Sequence, residues 1–309
     1  MNESVQAILH SYEKIIFGQS KNLKLLLCAL LSGGHVLLEG VPGTGKTKMV
    51  QTLAKLIHGD FKRVQFTPDL LPSDITGSAI FNMKSGSFET LKGPIFTNIL
   101  LADEINRTPA KTQAALLEAM EEKQVTIHGE TYVLPAPFFV AATQNPVEFE
   151  GTYPLPEAEQ DRFLFKLIID YPDIEAERLL VKAALVENHQ AFTRDDLHNV
   201  PSFTELQEQV RNVKVDDTIV EYIVQLIRKT RETDFIRLGA SSRAAIALTL
   251  ASQAWAFIEG RSFVIPDDVK AVIRPALRHR IILSAQMEME GATCDQVIQD
   301  VVGSTPVPR

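Results

Sequence analysis

The run Gly40-Val41-Pro42-Gly43-Thr44-Gly45-Lys46-Thr47 constrains this chain more than any other feature, because its flanks match it. It fits the pattern Gly, four free positions, Gly, Lys, Ser/Thr with nothing missing. His35-Val36-Leu37-Leu38-Glu39 before it is an apolar run of strand length. Lys48 to His58 after it places Met49, Leu53, Leu56 and Ile57 on one helical stripe. Strand, glycine loop and helix aim successive backbone N–H groups at a phosphate. Gly40, Gly43 and Gly45 allow close backbone approach, Lys46 supplies a point charge, and the Thr47 hydroxyl suits Mg²⁺; Pro42, Thr44 and Lys48 complete the binding stretch.

The rest of the chain has a matching organisation. The segments 35–39, 62–66, 98–102, 138–143 and 163–168 are predicted core strands with helical connections, as in an α/β fold with a parallel sheet covered on both faces. Residues 3–16 and 21–31 are predicted amphipathic helices separated by Phe17-Gly18-Gln19-Ser20, and Pro109 to Lys123 is a further helix. Alternating runs at 77–82 and 86–91, and again across 124–134 around His128-Gly129-Glu130, predict two inserted hairpins. After Tyr171-Pro172-Asp173 the pattern is helical without a strand, with helices at 218–231, 242–258 and 267–284 and a polar connector over 191–201. Ser262 to Asp268 is a turn into an aspartate-capped helix. This divides the chain into a nucleotide-binding core, 1–187, and an all-α domain, 188–309.

Composition narrows the partners. The net charge of −8 and the lack of basic-aromatic clusters argue against nucleic acid. The longest apolar runs, such as Leu25 to Leu31, fall far short of the ~20 residues of a membrane helix. No basic segment precedes an apolar one in MNESVQAILHSYEK, so no signal peptide is expected and the protein is read as cytoplasmic. Cys28 and Cys294 lie in apolar helical sequence and are read as buried free thiols.

Asp103-Glu104 closes a fully apolar strand. That puts Asp103 at the carboxyl end of a sheet, where ligands bind. There Asp103 is expected to hold Mg²⁺ through water or Thr47, and Glu104 to orient and polarise the attacking water. Asn145, in Thr143-Gln144-Asn145-Pro146, follows another strand; its amide suits the γ-phosphate or the water, although Asn before Pro is also a common turn.

Together these runs resemble the MoxR family of AAA+ ATPases over about residues 5–285. The resemblance is carried by Gly40 to Thr47, DEINR at Asp103 to Arg107, KTQAALLEAMEE at Lys111 to Glu122, VAATQNP at Val140 to Pro146 and YPLPEAEQDRF at Tyr153 to Phe163. It implies a three-layer αβα P-loop core followed by a helical lid, a Walker A loop at Gly40 to Thr47 and a Walker B pair, Asp103 and Glu104. It also implies a sensor 1 at Asn145, an arginine finger at Arg162 and a sensor 2 at Arg243, with Ser242 standing where the family pattern has proline. The two hairpins match the family's insertions.

A guanidinium is always charged and offers a donor fork for phosphate. Arg162 can project toward a neighbouring subunit's γ-phosphate, or pair with Asp161 or Glu159. Arg243, at the start of a lid helix, can clamp its own chain's phosphates or lie on the surface. Arg107 either steadies the Walker B turn or contacts a neighbour. Gly18 and Gln19 resemble the segment near the base, Trp255 reads as core, and His128 sits at a hairpin tip, solvated or touching substrate. The resemblance further implies ATP with Mg²⁺, a ring-forming homo-oligomer (a hexamer), a lid that swings against the core on ATP loss, and a remodelled protein partner, in this family often one with a von Willebrand A-type domain. A nucleotide-gated assembly switch with little hydrolysis, and the ATPase subunit of a metal chelatase, remain as alternatives.

Overall fold

The computed structural model describes residues 3–145, 152–185 and 202–308. The predicted connector over 191–201, the boundary near 187, and Pro146 and Gly151 lie outside those residues. The chain enters through α1 (Glu3–Glu13) and α2 (Ser20–Leu31), then β1 (Val36–Glu39), the glycine loop and α3 (Lys46–Leu56). β2 (Phe61–Gln65) leads through the short α4 (Pro72–Thr76) to a hairpin of β3 (Gly77–Asn82) and β4 (Ser87–Lys92). β5 (Ile99–Asp103) runs into a 3-10 turn, Ile105–Arg107, and α5 (Ala110–Glu122). The second hairpin, β6 (Gln124–Ile127) and β7 (Glu130–Val133), precedes β8 (Phe139–Gln144), α6 (Glu157–Gln160), β9 (Phe165–Ile168) and α7 (Ile174–Ala184). The lid comprises α8 (Phe203–Arg211), α9 (Asp217–Glu232), β10 (Ile236–Leu238), α10 (Ser242–Ile258), α11 (Pro266–Leu277), β11 (Ile282–Leu283), α12 (Ala285–Met289) and α13 (Cys294–Ser304).

The five expected core strands form one parallel sheet in the order β2-β5-β8-β1-β9. Their side chains alternate between two apolar layers, as a pleated strand requires. Val36, Leu38, Ile99, Leu101, Phe139 and Ala141 face α1, α2 and α3 in a cluster that continues into the lid. Leu37, Leu100, Ala102, Val140 and Ala142 face Leu116, Leu117 and Met120 of α5 and Val125 and Ile127 of the second hairpin. Burial on both faces explains why β5 and β8 read as unbroken apolar runs. The second hairpin closes through His128 (φ 51°) and Gly129 (φ 83°), the left-handed pair that a two-residue turn needs.

The lid departs from the all-helical expectation. β10 and β11 pair antiparallel, Ile236 with Leu283 and Leu238 with Ile282. Strands of three and two residues are too short for alternation to reveal. The helix expected to reach 284 therefore stops at Leu277, and the chain turns through Arg278-His279-Arg280 into β11. The capping aspartate is Asp268, inside the first turn, where Oδ2 accepts the Ile265 N–H at 2.9 Å. Cys28 is buried, but Cys294 begins α13 and is only partly covered. Trp255 is partly buried against the core, with Lys24 Nζ 4.8 Å from its ring centroid. Among the described residues no helix is long and apolar enough to cross a membrane.

Candidate functional site

The glycine loop leaves the sheet at the carboxyl end of β1. Glu39 there pairs with Lys166 Nζ of β9 at 2.6 Å. At position 40 only glycine fits, since a Cβ would lie 2.3 Å from the Ile169 carbonyl oxygen of the neighbouring strand. Gly43 and Gly45 both take φ +83°, with open space where a side chain would stand. α3 begins at once after Gly45 and no side chain caps it. Its first-turn N–H groups and the positive end of its dipole are thus left to a ligand. Lys46 arches over the loop, donating from Nζ to Gly40 O at 2.7 Å and Val41 O at 2.8 Å. Burial lowers the Lys46 pKa, against the opposing pull of Asp103 and Glu104. Thr44 Oγ1 donates to Val41 O at 3.0 Å.

Asp103 and Glu104 face this loop from the end of β5. The buried Thr143 of β8 ties them together: its hydroxyl accepts the Glu104 N–H at 2.8 Å and donates to Asp103 Oδ1 at 2.5 Å. Asp103 Oδ2 accepts from Arg63 Nε at 3.0 Å and Nη2 at 2.6 Å. Glu104 adopts φ 57°, ψ 49°. A left-handed non-glycine residue costs about 1–3 kcal/mol and persists where its surroundings enforce it. Its Oε2 accepts from Gln65 Nε2 at 2.6 Å and lies 3.1 Å from Arg107 Nε, which is the steadying arrangement for that arginine.

A cleft of about 390 Å³ joins these groups, lined by Pro42 to Lys48, Asp103, Glu104, Thr143, Gln144 and Asn145. It lies where ligands bind in open α/β sheets, outside the carboxyl ends of the strands. The uncapped helix start, the open glycines and the lysine fit a polyphosphate. For a metal, Thr47 and Asp103 line the cleft; among the described residues no group of three or more His, Cys, Asp or Glu side chains is placed to hold an ion. That donor set suits Mg²⁺, which takes few protein ligands and draws the rest from phosphates and water.

Four predicted residues lie elsewhere. Gly18 (φ +72°) packs on Pro172 and Ala176. Gln19 donates from Nε2 to Asp170 O at 3.0 Å and accepts from Asn22 at 2.8 Å. Both sit beside the strand end that faces Gly40 and outside the cleft lining. Arg162 precedes β9, at the amino-terminal edge of the sheet; its Nε lies 3.2 Å from Glu121 Oε2, and its charge also acts on Glu159, one of the two expected partners. Arg243 corrects the expectation more sharply. It stands beside Arg162, its Nη2 2.7 Å from Glu121 Oε1, and does not reach its own chain's loop. The docking of α10 explains this: Cys28 and Ser32, at the end of α2 that feeds the amino end of β1, bond to Ala251 and Leu250 carbonyls. The start of α10 is thereby carried to the wrong edge for a self-acting clamp. Glu121, Arg162 and Arg243 share a second cleft of about 280 Å³ with Gly33 and Gly34.

Sequence reasoning missed Arg63, Gln65, Thr143 and Glu121. Arg63 and Gln65 stand two apart on β2 and so on one face, and Gln65 lies in register with Asp103. The alternation was visible, but the register was not.

Comparison with known proteins adds independent findings. Residues 35–165 match the family model described as ATPase family associated with various cellular activities (AAA), and residues 228–301 match an AAA lid domain. The chain is 50% identical over 295 residues to the uncharacterized protein YeaC of Bacillus subtilis (strain 168), spanning 96% of this chain and 92% of that one. It is 42% identical over 323 residues to Chaperone MoxR1 of Mycobacterium tuberculosis, spanning 99% and 85%. A crystal structure of a Cytophaga hutchinsonii protein, described as a candidate ATPase, superposes with a TM-score of 0.89 at 42% identity, over 99% of this chain and 96% of that one.

Proposed function

This chain belongs to the MoxR family of AAA+ ATPases, and from that premise we propose that it binds ATP with Mg²⁺ and hydrolyses it in a homo-oligomeric ring. The observation that carries the reading is the division of the charged residues between two edges of one sheet. The loop, Asp103, Glu104 and Asn145 converge at the carboxyl ends of the strands, while Arg162 and Arg243 converge with Glu121 at the amino ends. Four strand residues alone span ~13 Å. An arginine at one edge therefore cannot serve phosphates at the other, and each site needs its neighbour.

The loop amides and Lys46 bind and orient the triphosphate. Thr47 and Asp103 are the residues that would hold Mg²⁺, whose part is to neutralise charge on the phosphate oxygens. Glu104, turned into the cleft by its left-handed backbone, orients water and accepts its proton, and Asn145 fixes that water or the outer phosphate. Arg162 and Arg243 of the adjoining subunit stabilise charge in the transition state, a role worth about 10³ to 10⁵ in rate for arginine fingers in general. We read 1–187 as core and 188–309 as lid. The buried Arg280 bonds to Asp161, Phe163 and Leu164 of the core from the lid side. This supports motion between neighbouring subunits on ATP loss, in place of a lid swinging against its own core. The two hairpins, which meet through Phe88 and His128 at 4.9 Å, are the surface offered to a protein to be remodelled.

The test is subunit mixing. Arg162→Ala and Glu104→Gln proteins should each hydrolyse little ATP, and their mixture should regain activity where a Glu104→Gln subunit presents its arginines to an intact neighbouring site. No recovery in demonstrably co-assembled rings would overturn the reading.

A further inference from the structure

We propose that Glu121 is a positioning residue that sets Arg162 and Arg243 as one phosphate-binding unit for the neighbouring subunit, an inference that rests on the trans reading above. The two arginines come from distant parts of the chain, one just ahead of β9 in the core and the other in the first turn of α10 in the lid. Both point at a single carboxylate, Arg243 through Nη2 at 2.7 Å and Arg162 through Nε at 3.2 Å. Two guanidiniums in one cleft repel, and an acid between them cancels that repulsion and sets their spacing.

Local energetics argue against an incidental contact. Glu121 sits in the last turn of α5, where a carboxylate opposes the helix dipole and the turn itself holds no basic residue. Its position is locally unfavourable, and the two arginines it pairs with offset that cost. A guanidinium has five N–H donors, and Glu121 draws Arg243 by one terminal nitrogen and Arg162 by the inner one, so each fork keeps donors for phosphate. The backbones behind the pair are already fastened. Ser241, two residues before Arg243, donates to Asp161 Oδ2 at 3.0 Å, and Asp161, next to Arg162, accepts from Arg280 Nε at 2.6 Å. With both main chains held, the remaining freedom is where the two charged tips stand; Glu159 also acts on Arg162, but Glu121 is the carboxylate paired with both arginines.

The test is steady-state hydrolysis by the assembled full chain, with ring size followed by sedimentation, for wild type, Glu121→Ala, Glu121→Gln, Arg162→Ala, Arg243→Ala and Glu121→Ala/Arg243→Ala. Misplaced catalytic groups make rate, not affinity, the quantity that moves: Glu121→Ala should lower kcat by about tenfold. KM, and binding of a non-hydrolysable ATP analogue to the chain's own loop, should stay within about twofold, with Glu121→Gln intermediate in kcat. Because Glu121 acts through the arginines, the double variant should fall less than about threefold below Arg243→Ala alone. An unchanged or raised rate in Glu121→Ala, a KM effect with kcat intact, or fully multiplicative losses would overturn the inference. So would failure of both Glu121 variants to assemble, which would make Glu121 an interface residue. Loss of rate in Arg162→Ala but not in Glu121→Ala sinks the inference and leaves the trans reading standing, whereas an unaffected Arg162→Ala sinks both.

Discussion

Replacing Arg280 by lysine tests how the lid is fastened to the core. Arg280 is buried, its side chain 3% exposed, and all five of its N–H donors are used. Nε donates to Asp161 Oδ1 at 2.6 Å, Nη1 to Leu164 O at 3.1 Å and Ala276 O at 2.6 Å, and Nη2 to Asp161 O at 3.0 Å and Phe163 O at 2.8 Å. Ala276 belongs to the last turn of α11, so the guanidinium also meets the negative end of that helix. A lysine brings three donors from one point, so at least two acceptors lose their partner. Phe163 O keeps His279 Nε2 at 2.9 Å and Asp161 keeps Ser241, which limits the damage. An unmet buried acceptor costs about 1–3 kcal/mol, so Arg280→Lys should destabilise the fold by about 2–4 kcal/mol. Burial already lowers the Arg280 pKa, and the more strongly hydrated ammonium would be still less at ease there. With an m-value of about 3 kcal/mol/M, the urea midpoint should fall by about 1 M. Arg228, whose pair with Glu232 is 68% exposed on the arginine side, is the control: Arg228→Lys should change stability by less than about 0.5 kcal/mol. If Arg280→Lys melts with wild type, the assignment of this network as the core–lid fastening is wrong.

Three further outcomes are expected. Buried His35 accepts the Val140 N–H on Nδ1 at 3.0 Å and so donates from Nε2 to Met120 O at 3.1 Å; burial lowers its pKa to about 4. The unfolded chain therefore takes up a proton that the folded chain refuses as pH falls from about 6.5 to 4, and about 3 kcal/mol of stability present above that window is lost across it; urea titrations should show a flatter acid limb in His35→Gln than in wild type, and equal slopes would refute it. Gly40→Ala should cost about 1–3 kcal/mol by forcing β1 away from the Ile169 carbonyl, and should weaken ATP binding in calorimetric titration. Lys46→Ala takes the lysine donor from the carbonyl of the buried Gly40, while Thr44 still serves Val41 O, and should cost about 1–3 kcal/mol; it should also abolish the calorimetric ATP signal at concentrations that saturate wild type.

Some of this was legible because it is local. The loop, its strand and its helix are contiguous, so spacing alone predicts where the amides and Lys46 stand. The central strands β5 and β8 announced themselves because a sheet covered on both faces needs apolar residues at nearly every position, and Asp103 was marked by ending such a run. Other features depend on which elements meet. Arg63 and Gln65 reach the carboxylates of Asp103 and Glu104 only because β2 pairs with β5 in one register. β10 and β11 exist only because a turn after α11 returns the chain to residue 236.

Arg243 shows the harder case. Its helix buries Ala244, Ala247, Leu248, Ala251, Ala254 and Ile258 and is apolar on more than one face, so periodicity does not say which face meets α2 and which edge of the sheet its first turn reaches. A residue proposed to act on another copy of the chain cannot be assigned from its own helix, because the atoms it would serve are absent from that pattern. Glu121 is more obscure still, one of three glutamates in α5 with nothing in the local sequence to separate it from its neighbours. It becomes visible when β9 and α10 bring two cations to one carboxylate at the end of the sheet that has no nucleotide loop. An acid held against its own helix dipole by cations from two domains serves geometry more than stability, since exposed pairs of this kind contribute only about 0–1 kcal/mol.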